Sequence, residues 1–88
     1  MVSQKIVINL ESGIHARPAG VLAKTASKCK SNVTLQVGER TVQVKSILNI
    51  MAAAIKCGTE IEVRCDGETE EEDLKTLIAA IESGLGEN

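Results

Sequence analysis

The chain has 88 residues, too few for more than one domain, and its hydrophobic and charged fractions of 43% and 25% are those of an ordinary globular protein rather than a disordered one. Ten basic against twelve acidic side chains leave a formal net charge of −2, which argues against a dedicated nucleic-acid binder. The absence of Trp, Tyr and Phe excludes aromatic platforms for single strands and aromatic cages for cations. A domain of this size buries only about 60–65% of its unfolded surface, so a deep cleft around a large substrate is not expected.

Apolar and polar side chains alternate from Val2, and the β-branched run Ile6-Val7-Ile8 predicts a strand over residues 2–9. The pattern meets Glu11 too early for a signal peptide, and no apolar run approaches the ~20 residues of a membrane span. A cytoplasmic protein that engages no membrane is therefore expected. Residues 11–15, Glu-Ser-Gly-Ile-His, read as a loop. Helical spacing then places Ala16, Ala19, Leu22, Ala23 and Ala26 on one apolar face of a helix over 16–28. Pro18 belongs in a first helical turn, where its missing N–H has no partner to lose. Lys28 and Lys30 suit the negative far end of the helix dipole.

Residues 32–37 and 40–44 alternate as two strands joined at Gly38-Glu39, which predicts a hairpin. Ser46, a favoured N-cap type, opens a second helix that runs from Ile47 towards Gly58. Residues 59–65 form a further strand with Ile61, Val63 and Cys65 directed inward, and Asp66-Gly67 turns the chain. The last helix spans 69–83 on a stripe of Leu74, Leu77, Ile78 and Ile81. Acidic residues crowd its start, where negative charge is favoured, and Gly84 ends it. The order β-α-β-β-α-β-α implies an α+β fold of one sheet and one helical layer, a single domain over residues 1–88.

Cys29, Cys57 and Cys65 are odd in number and match no common zinc spacing, and one histidine is too few to help. They are expected as three reduced thiols in or near the core. A small cysteine-based redox or metal protein is the alternative they would support. Charge is divided along the chain: residues 1–65 carry nine basic and four acidic side chains, residues 66–88 one and eight. Arg17, Lys24, Lys28 and Lys45 are candidates for a face that docks an acidic partner.

His15 is the candidate for chemistry. It precedes a helix start, where unpaired N–H groups and the dipole favour an anion. Arg17 adds charge-assisted hydrogen bonds suited to phosphate. With no carboxylate near in sequence to orient a base, a hydrolase is hard to build, whereas a covalent phosphoryl carrier needs only the imidazole as nucleophile. Ser46 is a second candidate, for phosphorylation, because a phosphoserine tolerates a helix N-terminus and adds about −1.5 to −2 charge units beside the apolar Ile47, Leu48 and Met51.

Gly13-Ile14-His15-Ala16-Arg17-Pro18-Ala19, followed by Val44-Lys45-Ser46-Ile47-Leu48 and Met51, closely resembles the HPr family. These are the histidine-containing phosphocarriers of the bacterial phosphoenolpyruvate-dependent sugar phosphotransferase system, and the serine motif resembles the low-GC Gram-positive type. The resemblance covers essentially the whole chain. It implies an open-faced β-sandwich, a four-stranded antiparallel sheet covered on one face by three helices. It implies that His15 accepts a phosphoryl group on Nδ1 from enzyme I and passes it to IIA domains of sugar permeases, with Arg17 and Ala16 holding that group. Ser46 would be the target of an HPr kinase/phosphorylase, linking the protein to a LacI-type catabolite control regulator. The implied partner surface comprises Ser12, Ile14, Ala16, Arg17, Gly20, Lys24, Lys45, Ile47, Leu48 and Met51. No cofactor, metal or nucleic acid is implied. The protein would be a monomer and the co-substrate of phosphotransferases rather than an enzyme. Gly20 stands where the family has Thr or Ala, Asn49 where Gly is common, and aromatics seen in many relatives are absent. A regulatory module switched at Ser46 is the alternative reading; a regulatory homologue of this kind lacks the active histidine, which is present here.

Overall fold

The computed structural model describes residues 1–86, in the order β1 (Val2–Val7), α1 (Ala16–Ser27), β2 (Asn32–Val37), β3 (Arg40–Gln43), α2 (Ile47–Ala52), β4 (Glu60–Asp66) and α3 (Glu70–Glu82). The four strands form one antiparallel sheet in the order β1-β4-β2-β3. β4, the last strand in sequence, is central because it pairs with both β1 and β2. Its alternation sends Ile61, Val63 and Cys65 into the core with Val33, Leu35 and Val42 of its neighbours. On the other face Glu62 and Arg64 pair at 2.6 Å, beside Thr34 and Gln36. That face carries no helix, so the sandwich is open on one side. The three helices cover the inner face: α3 lies on β4 and β1, α1 packs on α3 and α2, and α2 abuts β3.

With no aromatic ring available, the core is built from aliphatic side chains. Leu22, Leu35, Ile50, Ile61, Leu77 and Leu85 are all essentially inaccessible, and each such burial contributes about 1.5–3 kcal/mol. α1 buries Pro18, Ala19, Leu22, Ala23 and Ala26. Ala16, expected on the same stripe, is exposed. α3 closes with Gly84 N–H donating to the Ile81 carbonyl and Leu85 N–H to that of Ala80, while Leu85 folds back into the core. This is a Schellman ending, with Gly84 at a φ of 97°.

Three expectations need correction. α2 does not run towards Gly58 but ends at Ala52, capped by Ala53, and the chain reverses at Ala54 with a φ of 51°. Continuing the helix would carry Ile55 away from the core; the reversal buries it instead. β1 gives way at Val7, although the pairing continues through Ile8, whose N–H donates to the Thr59 carbonyl and whose carbonyl accepts from Gly58. Of the three cysteines, Cys29 and Cys65 are buried and Cys57 is exposed. Burial pushes the Cys65 thiol up to about 11, and burial together with the Asp73 carboxylate pushes Cys29 up. Both thiols are thus protonated at neutral pH and weak nucleophiles.

Among the described residues, Asp73 is the one charged side chain in the core. Its Oδ2 accepts from the Ser31 hydroxyl at 2.5 Å, the Ser31 N–H at 3.1 Å and the Thr69 hydroxyl at 2.8 Å. It therefore fastens the first turn of α3 to the α1–β2 connection. These bonds, the Ser31 hydroxyl first among them, hold the carboxyl below its ordinary value. A carboxylate depressed in the folded state confers stability that is present above the unfolded value of 3.8 and is lost as pH falls through the folded value. Asp73→Ala should cost about 2–3 kcal/mol, since it removes charge-assisted bonds and strands buried Ser31 donors. In a chain of this size that lowers Tm by about 10–20 °C. Thermal melts between pH 2 and 7 should also show a flatter acid limb for Asp73→Asn than for the wild type.

Candidate functional site

His15 occupies the N-cap of α1, with φ −97° and ψ −164°, and is exposed. Its carbonyl accepts from Ala19 N–H at 2.9 Å, the first bond of the helix, while its imidazole makes no capping bond. The N–H groups of Ala16 and Arg17 lie in the first turn, where a helix supplies no acceptor, and Pro18 has no N–H to offer. The first turn holds no acidic residue. The side chain before the helix therefore faces a positive helix end reinforced by the exposed Arg17 guanidinium.

The position of His15 is set by the residues before it. Gly13 has a φ of 70°, and its N–H donates to the Leu10 carbonyl at 2.9 Å. The next N–H, of Ile14, donates to the Ile55 carbonyl at 2.9 Å. The backbones approach so closely that a Cβ on Gly13 would lie 2.5 Å from the Ile55 oxygen. Ile14, expected on the partner surface, is only 4% exposed. That expectation is corrected: its side chain anchors the loop in the core and offers no contact area.

Ser46 is the N-cap of α2, half-buried, and its Oγ accepts from Asn49 N–H at 3.3 Å. α2 buries only Ile50 and leaves Ile47, Leu48 and Met51 exposed at 44%, 79% and 42%, forming an apolar surface. Arg40 of β3 holds the other end of this short helix, donating to the Ala52 carbonyl at 3.1 Å. Lys45 reaches the Cys29 carbonyl at 3.4 Å, bridging the α2 approach to the end of α1. Ser12, Ala16, Lys24 and Lys28 are exposed. Gly20 is half-buried, with open space where a side chain would stand. Residues 9–13, His15, Glu82 and Gly84 line a hollow beside the imidazole. Glu11 and Glu82 were missed by the motif reading; the one sequence signal was a helix ending on an acidic rather than a basic side chain.

Residues 2–83 match the family described as "PTS HPr component phosphorylation site". The chain belongs to the HPr family. Among curated relatives, the phosphocarrier protein HPr of Mycoplasma capricolum subsp. capricolum is 44% identical over 77 residues, covering 88% of this chain and 86% of that protein. The crystal structure of HPr-C-His from Thermoanaerobacter tengcongensis superposes with a TM-score of 0.93 at 36% identity, over 100% of this chain and 99% of that one. A Bacillus subtilis structure of Crh, described as a catabolite repression protein and a swapped dimer, aligns with a TM-score of 0.76 at 36% identity, covering 96% and 97%. The open-faced sandwich expected from the resemblance is the HPr fold. No helix among the described residues is long and apolar enough to cross a membrane.

Two glycines near His15 should respond oppositely to alanine. Gly13→Ala combines left-handed strain with a backbone clash, and is expected to cost about 2–3 kcal/mol. Gly20→Ala meets nothing and removes a helical glycine, so it should stabilise by about 0.5–1 kcal/mol. Urea titrations of the two variants against wild type check both signs.

Proposed function

We propose that the chain carries a phosphoryl group on His15 between enzyme I and the IIA domains of sugar permeases. The carrying observation is an exposed imidazole at the N-cap of α1, not used for capping, beside two first-turn N–H groups and Arg17. In the transfer, Nδ1 of His15 bonds to phosphorus, the bond from phosphorus to the donor breaks, and the departing donor group takes the ring proton. The phosphoryl oxygens then face the Ala16 and Arg17 N–H groups and the guanidinium, which offset their charge without a metal being needed for these contacts. The second transfer reverses the step towards an acceptor in the IIA domain. Exposure suits this role, because two large partners must reach one ring in turn. The protein acts as co-substrate rather than enzyme, in the cytoplasm where phosphoenolpyruvate is made. Ala16, Arg17, Ser12, Gly20 and Lys24, with the apolar side chains of α2, supply the docking surface, and the chain acts as a monomer.

Intact-protein mass after incubation with enzyme I and phosphoenolpyruvate tests this. Wild type should gain one acid-labile phosphoryl group and His15→Ala none. Arg17→Ala should slow uptake roughly ten- to a hundredfold, the kinetic equivalent of a charge-assisted hydrogen bond of about 1.5–3 kcal/mol. Phosphate carried by the His15→Ala protein to a sugar permease would overturn the assignment.

A second reading concerns Ser46. Its place at the start of α2 beside three exposed apolar side chains supports a regulatory phosphorylation by an HPr kinase/phosphorylase. Likeness to Crh supports a link to a LacI-type catabolite control regulator. The phosphate is accommodated by the helix N-terminus, but its charge disfavours apolar and acidic partners. Kinase and ATP should add one acid-stable phosphoryl group that Ser46→Ala lacks. The modified protein should accept phosphate from enzyme I more slowly and bind the regulator more tightly. Equal behaviour of the two forms would remove this reading.

A further inference from the structure

Two helix ends of opposite sign meet at His15. α1 begins there and presents partial positive charge. α3 packs on α1 and ends at Glu82, and Glu82 lines the same hollow as His15. The hollow also takes in Glu11 and none of residues 16–18.

The acidic charge of Glu82 does not favour its own helix. The last turn of α3 holds no basic residue, in the place where a helix favours a cation. No ion pair among the described residues engages Glu82. An acidic residue that weakens its own helix and shares a hollow with the reacting ring is available to act there through its charge. We propose that Glu82, with Glu11, acts through space on the phosphoryl group of His15, destabilising the phosphorylated state and so favouring its onward transfer. This rests on the carrier reading above.

The chemistry is direct. On the phosphorylated ring, a phosphoryl group of about two negative charges adjoins both the α1 donors and the acidic hollow. When the group leaves, the P–N bond breaks with its electron pair returning to the ring. An acceptor oxygen or nitrogen bonds to phosphorus, and the acceptor's proton replaces phosphorus on the ring. Repulsion from the carboxylates is relieved as the group departs. At a separation of one Debye length, about 8 Å, a carboxylate facing such a group is worth about a twofold change in rate or equilibrium.

Potassium phosphoramidate, which phosphorylates histidine with no partner protein, allows a test independent of enzyme I. Wild type and the variants Glu82→Gln, Glu82→Lys, Glu82→Asp and Glu11→Gln are loaded at pH 8, and loss of phosphate to water is followed by intact mass. Glu82→Gln and Glu11→Gln should lengthen the half-life about twofold and Glu82→Lys about fourfold, while Glu82→Asp stays near wild type. The differences should vanish in about 1 M salt, where screening acts over about 3 Å. Glu82→Gln and Glu82→Lys should melt at or above the wild-type temperature. Wild-type lifetimes for both, or longer lifetimes that persist in high salt, would overturn the proposal while leaving the carrier reading intact. Failure of enzyme I to load a wild type that phosphoramidate loads would overturn the carrier reading instead; failure of phosphoramidate to load His15 at all would overturn both.

Discussion

Everything at the site depends on one hydrogen bond in a tight place, from Ile14 N–H to the Ile55 carbonyl. It is reached only because Gly13 presents no Cβ to that same oxygen. The bond ties the loop ahead of α1 to the segment that follows α2, so the start of α1 is referred to the end of α2 through a short path of backbone. Backbone-to-backbone fixation matters here because the loop has little else. Its side chains at residues 11, 12 and 15 are exposed, and only Leu10 and Ile14 are anchored in the core. A ring that must be accessible cannot be packed into place, so it is held from beneath.

The same logic explains how much could be read before the structure. The start of α1 was legible because Pro18 tolerates few other positions, and the order of elements because β4 and the hairpin alternate cleanly. The end of α2 was not. Ala52, Ala53 and Ala54 are good helix formers, and the demand that Ile55 be buried overrode them. Ile14 and Cys57 went wrong for a related reason. A loop residue beside a reactive one invites a surface role, and a cysteine invites a core role, but only tertiary contact decides which side chain the loop turns inward. Asp73 was invisible among Glu70, Glu71 and Glu72, because nothing local distinguishes the one acid of four that meets Ser31.

The electrostatic layout follows from the helix ends rather than from net charge. A formal −2 over 88 residues says little about any site. What acts at His15 is the short-range field of α1, the Arg17 charge and the carboxylates of the adjoining hollow. Such fields reach about 8–10 Å at physiological salt, comparable with the separation of neighbouring helices. Acidic residues at the start of α3 lie at the far end of a 13-residue helix, roughly 20 Å along its axis at 1.5 Å per residue, and are screened from the site.

α2 shows a division of labour with a consequence for how such a protein can change over time. The helix fully buries Ile50 alone, is capped by Ser46 and held at its end by Arg40, while Ile47, Leu48 and Met51 keep much of their surface exposed. Leu48, the most exposed of them, is the least coupled to the stability of the domain. Drift there can retune which proteins the surface accepts while the sheet, the loop and the reactive ring stay as they are. Duplicated copies of the gene could therefore acquire separate partners by a handful of surface exchanges, with no intermediate that fails to fold.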